Sequence, residues 1–337
     1  MNEQNVAIIG ATGLVGREFI KVLLQRNFPL KSLKLFASGR SAGKKIRVGN
    51  EELEIRETDS HSLEGIDIAL FSAGAEASKQ FSHPATRAGA VIIDNSSAFR
   101  MNDEVPLVVP EVNADDISQH KGIIANPNCS TIQMVVALYP LHKVNPIRRI
   151  IVDTYQSVSG TGTAALAELS EQSRQVIEGH SVVPHVYSHQ IAFNILPEID
   201  LFLDNGYTKE EWKMIDETRK IMHAKELAIS ATCARVPVFI GHSEAVHVEF
   251  TEPMSSATAQ RILAEAPSVK LLDDPSIHLY PQPWAVANTD DVYVGRLRQD
   301  VSNNCELAMW IVADNIRKGA ALNAVQIAEI MLQRGWI

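Results

Sequence analysis

With 337 residues, the chain exceeds the usual size of one domain, and we expect two domains that each bury a core. Its net charge of −9, with Lys and Arg scattered along the chain, argues against nucleic acid or anionic membranes as partners. No export signal or apolar run of membrane-spanning length is present, and three widely spaced cysteines are not typical of a disulfide framework. These features favour a globular, cytoplasmic enzyme or binding protein.

The N-terminal third alternates short apolar strands with amphipathic helices. Strands are predicted at residues 6–9, 33–37, 66–72 and 91–94, and helices at 17–25 and 76–88. An alternation of this kind is typical of a doubly wound parallel sheet. We therefore predict a Rossmann-like α/β domain.

The hydrophobic pattern changes after residue 131. Residues 132–142 have helical spacing, and longer, less regular strands are predicted at 149–155, 231–240 and 244–251. The last stretch, 307–334, is predicted as two helices broken around Lys318 and Gly319. The second domain is therefore predicted to be α+β with a mixed sheet.

A glycine-rich turn joins the first strand to the first helix. Its glycines, at 10, 13 and 16, follow the spacing G-x-x-G-x-x-G rather than the G-x-G-x-x-G fingerprint. A tight turn without a ligand is the alternative, but a strand before the turn and a helix after it favour binding of a dinucleotide pyrophosphate. The predicted cofactor contacts in this turn are Gly10, Thr12, Gly13, Leu14, Val15 and Gly16.

The second strand does not end in the acidic residue that binds the ribose of NAD. Instead Ser38, Arg40 and Ser41 follow it. Charge-assisted hydrogen bonds from this group suit a 2′-phosphate, which indicates NADP, whereas the alternative is a solvated polar loop. Ser72, at the end of the third strand, is assigned to the same cofactor site.

Cys129 lies between an apolar strand and an amphipathic helix. A thiol at a helix N-terminus is favoured as a thiolate, which is what a cysteine nucleophile requires. Inert packing is the alternative, but the polar neighbours Asn128, Ser130 and Thr131 are a poor core environment. Cys233 and Cys305 lie in apolar segments and are predicted to be packing residues.

Charged side chains of the second domain are candidates for substrate contacts. Glu217 and Lys220 lie three residues apart on one face of a predicted helix, where a solvated ion pair is the alternative. Arg235 interrupts a predicted strand, so an inward guanidinium there needs an anion such as a substrate carboxylate, and an outward one needs none. His242, predicted in a turn between two strands, is a candidate general base, although most turn histidines have no such role.

These motifs together resemble aspartate-β-semialdehyde dehydrogenases over essentially the whole chain. Four further stretches occur in the order that the family has them, at residues 94–100, 108–113, 154–160 and 315–320. The resemblance implies that residues 1–128 with about 314–337 form the NADP-binding domain. Residues 129–313 would form the catalytic and dimerisation domain, in a homodimer or homotetramer.

The resemblance also implies a role for each candidate residue. Cys129 would be the nucleophile, His242 the acid/base, and Gln156 the residue that orients the substrate. Arg235 would hold the substrate α-carboxylate and Glu217 its ammonium group. The resemblance further assigns phosphate or acyl-phosphate binding to Arg100, Asn128 and Lys220, and the nicotinamide side of the cofactor site to Ser159, Gly160 and Asn315.

The chemistry implied by this family proceeds through a cysteine thioester. A thiolate adds to the aldehyde, hydride passes to NADP, and phosphate releases an aspartyl phosphate. In cells the family runs the reaction reductively, in the synthesis of lysine, threonine, methionine, isoleucine and, in bacteria, diaminopimelate. The backbone N–H groups after Cys129 are the expected donors to the oxyanion.

Three other functions are consistent with parts of the pattern. N-acetyl-glutamyl-phosphate reductases share the fold and the thioester, but a carboxylate that meets an ammonium group would serve no purpose against an N-acetyl group. Glyceraldehyde-3-phosphate dehydrogenases prefer NAD and continue Cys-Thr-Thr rather than Cys-Ser-Thr. A non-catalytic NADP-binding regulator would have no need of Cys129, Arg235 and His242 together.

Three histidines, His180, His185 and His189, raise the question of a metal site. Their spacings of five and four residues suit one helix face only for the second pair, and Pro184 interrupts the first. We therefore expect no metal, and a loop near the dimer contact or the cofactor is the simpler interpretation.

Overall fold

The computed structural model describes residues 2–337. Its internal contacts divide it into two compact units, one made of the described residues up to Asn128 together with Ala320–Ile337, the other of Cys129–Gly319. None of the described helices is long and apolar enough to cross a membrane.

The first unit is built on a seven-stranded sheet in the order β3-β4-β2-β1-β5-β6-β7. All neighbouring strands are parallel except β3 and β4, which form an antiparallel hairpin. The strands are β1 Gln4–Ile9, β2 Leu30–Ala37, β3 Lys45–Val48, β4 Glu51–Glu57, β5 Ile68–Phe71, β6 Val91–Asp94 and β7 Ile123–Ala125. The α-helices are α1 Leu14–Gln25, α2 Ala75–Arg87, the short α3 Pro110–Asn113 and, after the second unit, a C-terminal helix at Leu322–Arg334.

The C-terminal helix contributes apolar side chains to the core of this unit. Strands β1, β5 and β6 are apolar on both faces, as expected for parallel strands covered by helices. Residues of α1 and of the C-terminal helix, among them Phe19, Leu23, Val325 and Met331, pack in one cluster with these strands. The parallel sheet confirms the predicted Rossmann-like class, whereas the β3–β4 hairpin was not predicted.

The second unit is built on a six-stranded mixed sheet in the order β11-β12-β13-β10-β8-β9. Strands β8 and β9 are parallel, and β10 is antiparallel to both β8 and β13. The strands are β8 Ile147–Gln156, β9 Ala228–Arg235, β10 His242–Phe250, β11 Val269–Leu271, β12 Val292–Gln299 and β13 Glu306–Ala313. The α-helices are α4 Cys129–Val144, α5 Thr163–Ile177, α6 Lys209–Ile221, α7 Ser256–Ala264 and α8 Pro283–Val286; the C-terminal helix is α9.

Two helices, α6 and α4, carry candidate site residues, and local sequence determines where α6 begins. Thr208 and Glu211 form a capping box, in which the Thr208 side chain accepts from the Glu211 N–H and the Glu211 carboxylate accepts from the Thr208 N–H. This places Glu210 in the first turn of α6. In α4, residues 130–138 are all buried, so this part of the helix is covered on every side.

The first half of the final stretch was predicted wrongly, whereas its second helix is present as α9. Residues 306–313 form the strand β13 rather than a helix, and a π-helical turn at Arg317–Ala321 precedes α9. Because β13 lies between β12 and β10 and is covered on both faces, its apolar run is continuous and lacks the alternation that marks a half-exposed strand. The strand predicted at 231–240 likewise ends earlier, at Arg235.

Candidate active site

Two glycines of the turn after β1 are required by close backbone contacts. Gly10 has a φ of +91°, and a Cβ there would lie 2.5 Å from the Ser72 carbonyl oxygen. A Cβ on Gly16, in the first turn of α1, would lie 2.2 Å from the Gly10 carbonyl oxygen. The turn therefore packs against α1 and the end of β5 in a way that only glycine permits.

The same turn presents the N-terminus of a twelve-residue helix. Gly13 is the N-cap of α1 and supplies no side-chain cap. The first-turn N–H groups, which include those of Leu14, Val15 and Gly16, have no intrahelical acceptor and favour an anion. The residues present thus fit a dinucleotide pyrophosphate, with Thr12 beside them in the turn.

The turn after β2 carries the residues predicted to select NADP. Ser38, Arg40 and Ser41 follow the carboxyl end of β2, and the Ser41 N–H donates to the Ser38 carbonyl oxygen at 2.8 Å. Arg40 is exposed and, within residues 2–337, forms no salt bridge. Its guanidinium is therefore available to a phosphate.

The structure adds a carboxylate that the sequence analysis missed at this turn. Glu57 ends β4, where it pairs with Ala37 of β2. Its Oε1 lies 2.7 Å from the position that a Cβ on Gly39 would occupy. The residue comes from a neighbouring strand twenty residues along the chain, so inspection of the end of β2 alone could not find it.

Arg100 is held next to the segment that leads to the candidate nucleophile. Its Nε donates to the Asn126 carbonyl oxygen at 3.0 Å and its Nη2 to the Asn95 carbonyl oxygen at 2.8 Å. Asn126 is itself fixed by hydrogen bonds to the side chains of Asn95 and Asn323. Arg100 and Asn128 are both buried, 8% and 6% exposed, so this cation has a defined position.

Cys129 is the first residue of α4, as the sequence predicted for a helix-terminal thiol. It is partly exposed although the next nine residues are buried. A Cβ on Gly319 would lie 2.9 Å from the Cys129 Cβ, so glycine leaves room beside the thiol.

Cys233 is buried, and burial raises the pKa of its thiol, which fits the predicted packing role. Cys305 is instead partly exposed in a turn before β13, so the packing prediction was wrong for it.

Three site candidates lie side by side where adjacent strands meet. Arg235 ends β9 and pairs with Gln156, the last residue of β8. His242 begins β10, one residue before the pair of Ser243 with Tyr155 of β8. All three are buried on the sheet face that alternation along β8 and β9 turns inward. We call Arg235, Gln156 and His242 the substrate row.

His242 is fully buried and neutral, with an unpaired nitrogen. Its Nδ1 accepts the Ser157 N–H at 3.0 Å, which assigns its proton to Nε2. Nε2 has no hydrogen-bond partner within the described part of the chain. Burial, and then the positive charge of Arg235, lower the pKa of His242 to about 3. A Cβ on Gly160 would lie 3.3 Å from Nε2, so this glycine keeps the imidazole approachable.

Arg235 is a buried cation that lacks a carboxylate of its own. It is 6% exposed, and its Nη1 donates to the Ser157 carbonyl oxygen at 2.8 Å. Its Nε has no hydrogen-bond partner, and no salt bridge to it occurs in the region described. The sequence left open whether Arg235 points inward or outward, and its burial shows that it points inward. A buried guanidinium without a salt bridge requires an anion.

Glu210, which the sequence analysis did not single out, is an acidic partner of the substrate row. Gln156 Nε2 donates to Glu210 Oε1 at 3.0 Å, and the negative charge of Glu210 also acts on His242. Glu217 is buried two turns further along α6. At 1.5 Å per residue, seven residues separate the two carboxylates by about 10 Å along the helix.

Lys213 lies three residues after Glu210 on α6, the same spacing that separates Lys220 from Glu217. Lys213 Nζ lies 3.2 Å from Glu210 Oε2 and 2.7 Å from Asp200 Oδ2. Burial alone would lower the pKa of Lys213, but these carboxylates more than offset it and the pKa is raised. The sequence contains two pairs of a Glu followed by a Lys three residues later, and the pattern does not distinguish them without the tertiary contacts.

Asn315 holds the loop that follows β8. Its Oδ1 accepts from the hydroxyls of Ser157 and Ser159 at 3.1 Å each and from the Gly241 N–H at 2.9 Å. Its Nδ2 donates back to Ser159 Oγ at 3.0 Å. The predicted nicotinamide contacts Ser159, Gly160 and Asn315 are therefore brought together, and Asn315 acts on them as a scaffold.

The three histidines at 180, 185 and 189 do not form a ligand cluster. Within residues 2–337, the group of metal-ligand type with atoms within 4.8 Å of one another is His247, Asp300 and Glu306. His247 shares its surface depression with Arg296 and Arg298, whose charges oppose a divalent cation. We assign no ion to this group.

Two family models match the two halves of the chain. One is described as semialdehyde dehydrogenase, NAD binding domain, and matches residues 5–120. The other is described as semialdehyde dehydrogenase, dimerisation domain, and matches residues 138–318. Fold, site and matches together define a semialdehyde dehydrogenase with a nucleotide-binding domain and a dimerisation domain.

Individual relatives narrow this class. The aspartate-semialdehyde dehydrogenase of a Synechocystis strain is 51% identical over 98% of both chains. The crystal structure of aspartate semialdehyde dehydrogenase II from Vibrio cholerae complexed with ASA has a TM-score of 0.95, with 45% identity over 99% of both chains. The aspartate semialdehyde dehydrogenase of Candida albicans with NADP has a TM-score of 0.79, with 25% identity over the whole of both chains. The chain belongs to the aspartate-semialdehyde dehydrogenase family and, like its relatives, is an oxidoreductase.

Proposed function

We propose that this chain catalyses the NADPH-dependent reductive dephosphorylation of L-aspartyl-4-phosphate to L-aspartate-4-semialdehyde through a thioester on Cys129. The observation that carries the proposal is the substrate row with Glu210, in which a buried arginine that forms no salt bridge and a buried carboxylate both neighbour Gln156. This pair is complementary to the α-carboxylate and α-ammonium groups of an amino acid. The dehydrogenases from Synechocystis and Vibrio cholerae support the same substrate class.

Each end of the substrate has its own protein group. Arg235, with an unpaired Nε, receives the α-carboxylate in the geometry that a guanidinium offers to two oxygens. Glu210 receives the ammonium group and takes the role that the sequence analysis gave to Glu217. Gln156, hydrogen bonded to Glu210, orients the reacting carbonyl. Arg100, Asn128 and Lys213 are proposed to bind phosphate or the acyl phosphate; Lys213 replaces Lys220 in this role.

The reaction begins with transfer of the acyl group to sulfur. The Cys129 thiolate attacks the acyl carbonyl carbon, a C–S bond forms, and the C–O bond to phosphate breaks. The phosphate leaves with the bonding electrons and takes up a proton. N–H groups in the first turn of α4 stabilise the oxyanion, an effect typically of about 3 kcal/mol.

Reduction of the thioester completes the reaction. When bound in the glycine-rich turn, NADPH would supply the hydride that reduces the thioester carbonyl carbon. The alkoxide that forms would accept a hydrogen bond from the neutral imidazole of His242, which carries its proton on Nε2. The C–S bond then breaks, which releases the aldehyde and regenerates the Cys129 thiolate. In the oxidative direction the Cys129 thiolate adds to the aldehyde, and the same Nε2–H of His242 donates a hydrogen bond to the hemithioacetal alkoxide.

NADP is proposed as the cofactor because Arg40 and the two serines beside it suit a 2′-phosphate, in agreement with the Candida albicans dehydrogenase with NADP. A homodimer agrees with the dimerisation-domain match, and a homotetramer is an assembly of such dimers. Cytoplasmic location is proposed from the three free cysteines.

The neighbouring class of N-acetyl-glutamyl-phosphate reductases is disfavoured by Glu210. An uncharged N-acetyl group would leave this buried carboxylate without its cationic substrate partner.

The test is phosphate-dependent reduction of NADP by the purified protein with L-aspartate-4-semialdehyde. N-acetyl-glutamate semialdehyde and NAD serve as parallel substrate and cofactor. We expect rapid turnover only with the aspartate aldehyde, phosphate and NADP. Turnover with the acetylated aldehyde instead would assign the chain to the other class, and turnover without phosphate would exclude release by phosphorolysis.

A further inference from the structure

A second buried row lies directly beneath the substrate row. Glu244 of β10 is two residues from His242 and on the same sheet face, and it pairs with Thr154 of β8, which in turn pairs with Cys233 of β9. Glu244 is fully buried and, within the described part of the chain, forms no salt bridge. The proposed reaction uses no group of this row, so a buried carboxyl two residues from the acid/base histidine requires an explanation.

The polar neighbour of Glu244 comes from the helix that carries the nucleophile. Gln133 lies four residues after Cys129, on the same face of α4, and is also fully buried. Its Nε2 donates to the His242 carbonyl oxygen at 3.4 Å. That bond directs the amide nitrogen to the strand and leaves the amide oxygen, Oε1, for another group.

The side-chain oxygen atoms of Gln133 and Glu244 lack a hydrogen-bond donor. Gln133 Oε1 and both carboxyl oxygens of Glu244 are buried without a hydrogen-bond partner in residues 2–337. An ionised Glu244 offers acceptors only, as does Oε1, so the two cannot satisfy each other. A protonated Glu244 supplies the O–H that both need.

We propose that Glu244 is a positioning residue that donates a hydrogen bond to Gln133 Oε1 and thereby links α4, one turn after Cys129, to the backbone of His242. The link runs from the Glu244 hydroxyl through the Gln133 amide to the His242 carbonyl oxygen. It fixes the start of α4, where Cys129 lies, against the start of β10, where His242 lies. The inference rests on the proposed function for the roles of these two residues.

The electrostatic setting agrees with a neutral acid. Burial raises the pKa of Glu244 well above its ordinary value, and the Gln133 amide offsets this only in part. Glu244 acts together with Glu210 and Glu211 of α6 on the Cys233 thiol of β9, and His242 on its own strand is neutral. None of these offers Glu244 a cationic partner.

The test compares two substitutions of similar size in the full-length protein. Glu244→Gln keeps a donor for Gln133 Oε1, whereas Glu244→Met fills the space without one. We expect Glu244→Gln to retain kcat within about twofold and Glu244→Met to lower kcat by about tenfold or more with little change in KM, since misplacement of reacting groups acts mainly on the chemical step. Gln133→Met should match Glu244→Met, and the double variant should be no worse than either.

The outcomes separate this inference from the proposed function. Turnover of the wild-type protein tests the function, and the ratio of variant to wild-type kcat tests Glu244. Equal loss in Glu244→Gln and Glu244→Met would show that an ionised carboxylate is needed and would overturn the proposal, as would full activity of Glu244→Met. If Glu244→Met does not fold, infrared spectroscopy at pH 8 determines the protonation state of Glu244. We expect the band of a protonated carboxyl group in the wild type and not in Glu244→Gln. Its absence from the wild type would overturn the proposal.

Discussion

Gln156 donates a hydrogen bond of 3.0 Å to Glu210, and this contact places a carboxylate of α6 against the substrate row. It joins the end of β8 to the first turn of a helix 54 residues later in the chain. The contact is buried, so it excludes water from the carboxylate that is proposed to meet the substrate ammonium group.

We expect Glu210→Gln to lower kcat/KM for aspartate semialdehyde by roughly ten- to a hundredfold, because a hydrogen bond to a charged group contributes about 1.5–3 kcal/mol. Steady-state kinetics at matched folded fraction is the measurement. Glu217→Gln is the control, also a buried carboxylate of the same helix, and should change kcat/KM by less than about threefold. The reverse ranking would restore Glu217 to the site.

The structural settings that the sequence predicted correctly are those that follow from local context. Gly10 and Gly16 are set by the strand and helix that flank them, and Cys129 by its place at a helix start. Glu210 and Glu57 depend on contacts between distant strands and helices, so spacing along the chain does not reveal them. The strand β13 was missed because a covered strand and a buried helix have the same apolar composition.

We expect Cys129→Ser to abolish turnover while NADP affinity changes by less than about twofold, because a hydroxyl is a far weaker nucleophile than a thiolate and the glycine-rich turn remains intact. Fluorescence titration with NADPH and a turnover assay measure the two effects. Cys305→Ser is a matched control because Cys305 is also partly exposed. Retained turnover in Cys129→Ser, or its loss in Cys305→Ser, would contradict the thioester assignment.

We expect Glu57→Gln to improve the use of NADP relative to NAD. The Glu57 carboxylate lies against Gly39, beside the turn proposed to bind the 2′-phosphate, so its charge opposes that of the phosphate. Because Glu57 is exposed, solvent screens the effect, and we expect a change of about two- to fivefold in the ratio of KM values at low salt. Glu54→Gln, an exposed carboxylate on the same strand, is the control. An equal effect on both cofactors would show that Glu57 does not act on the 2′-phosphate.

His242 should make the protein sensitive to acid. In the unfolded chain a histidine takes up its proton near pH 6.5, whereas burial holds His242 neutral in the folded protein until about pH 3. Between these values the unfolded state binds more protons, so the free energy of unfolding falls as the pH falls. From pH 6.5 to pH 5 the loss from this residue alone is about 2 kcal/mol.

His242→Asn should remove that loss, since asparagine Oδ1 can accept the Ser157 N–H without titrating. The free energy of unfolding, measured by urea denaturation at pH 7 and pH 5, should therefore fall less in the variant than in the wild type by about 2 kcal/mol. His278→Asn is the control, an exposed residue in a left-handed conformation that asparagine tolerates. Equal acid losses in the wild type and in His242→Asn would mean that His242 is protonated in the folded protein. In that case its role as a neutral Nε2 donor would have to be abandoned.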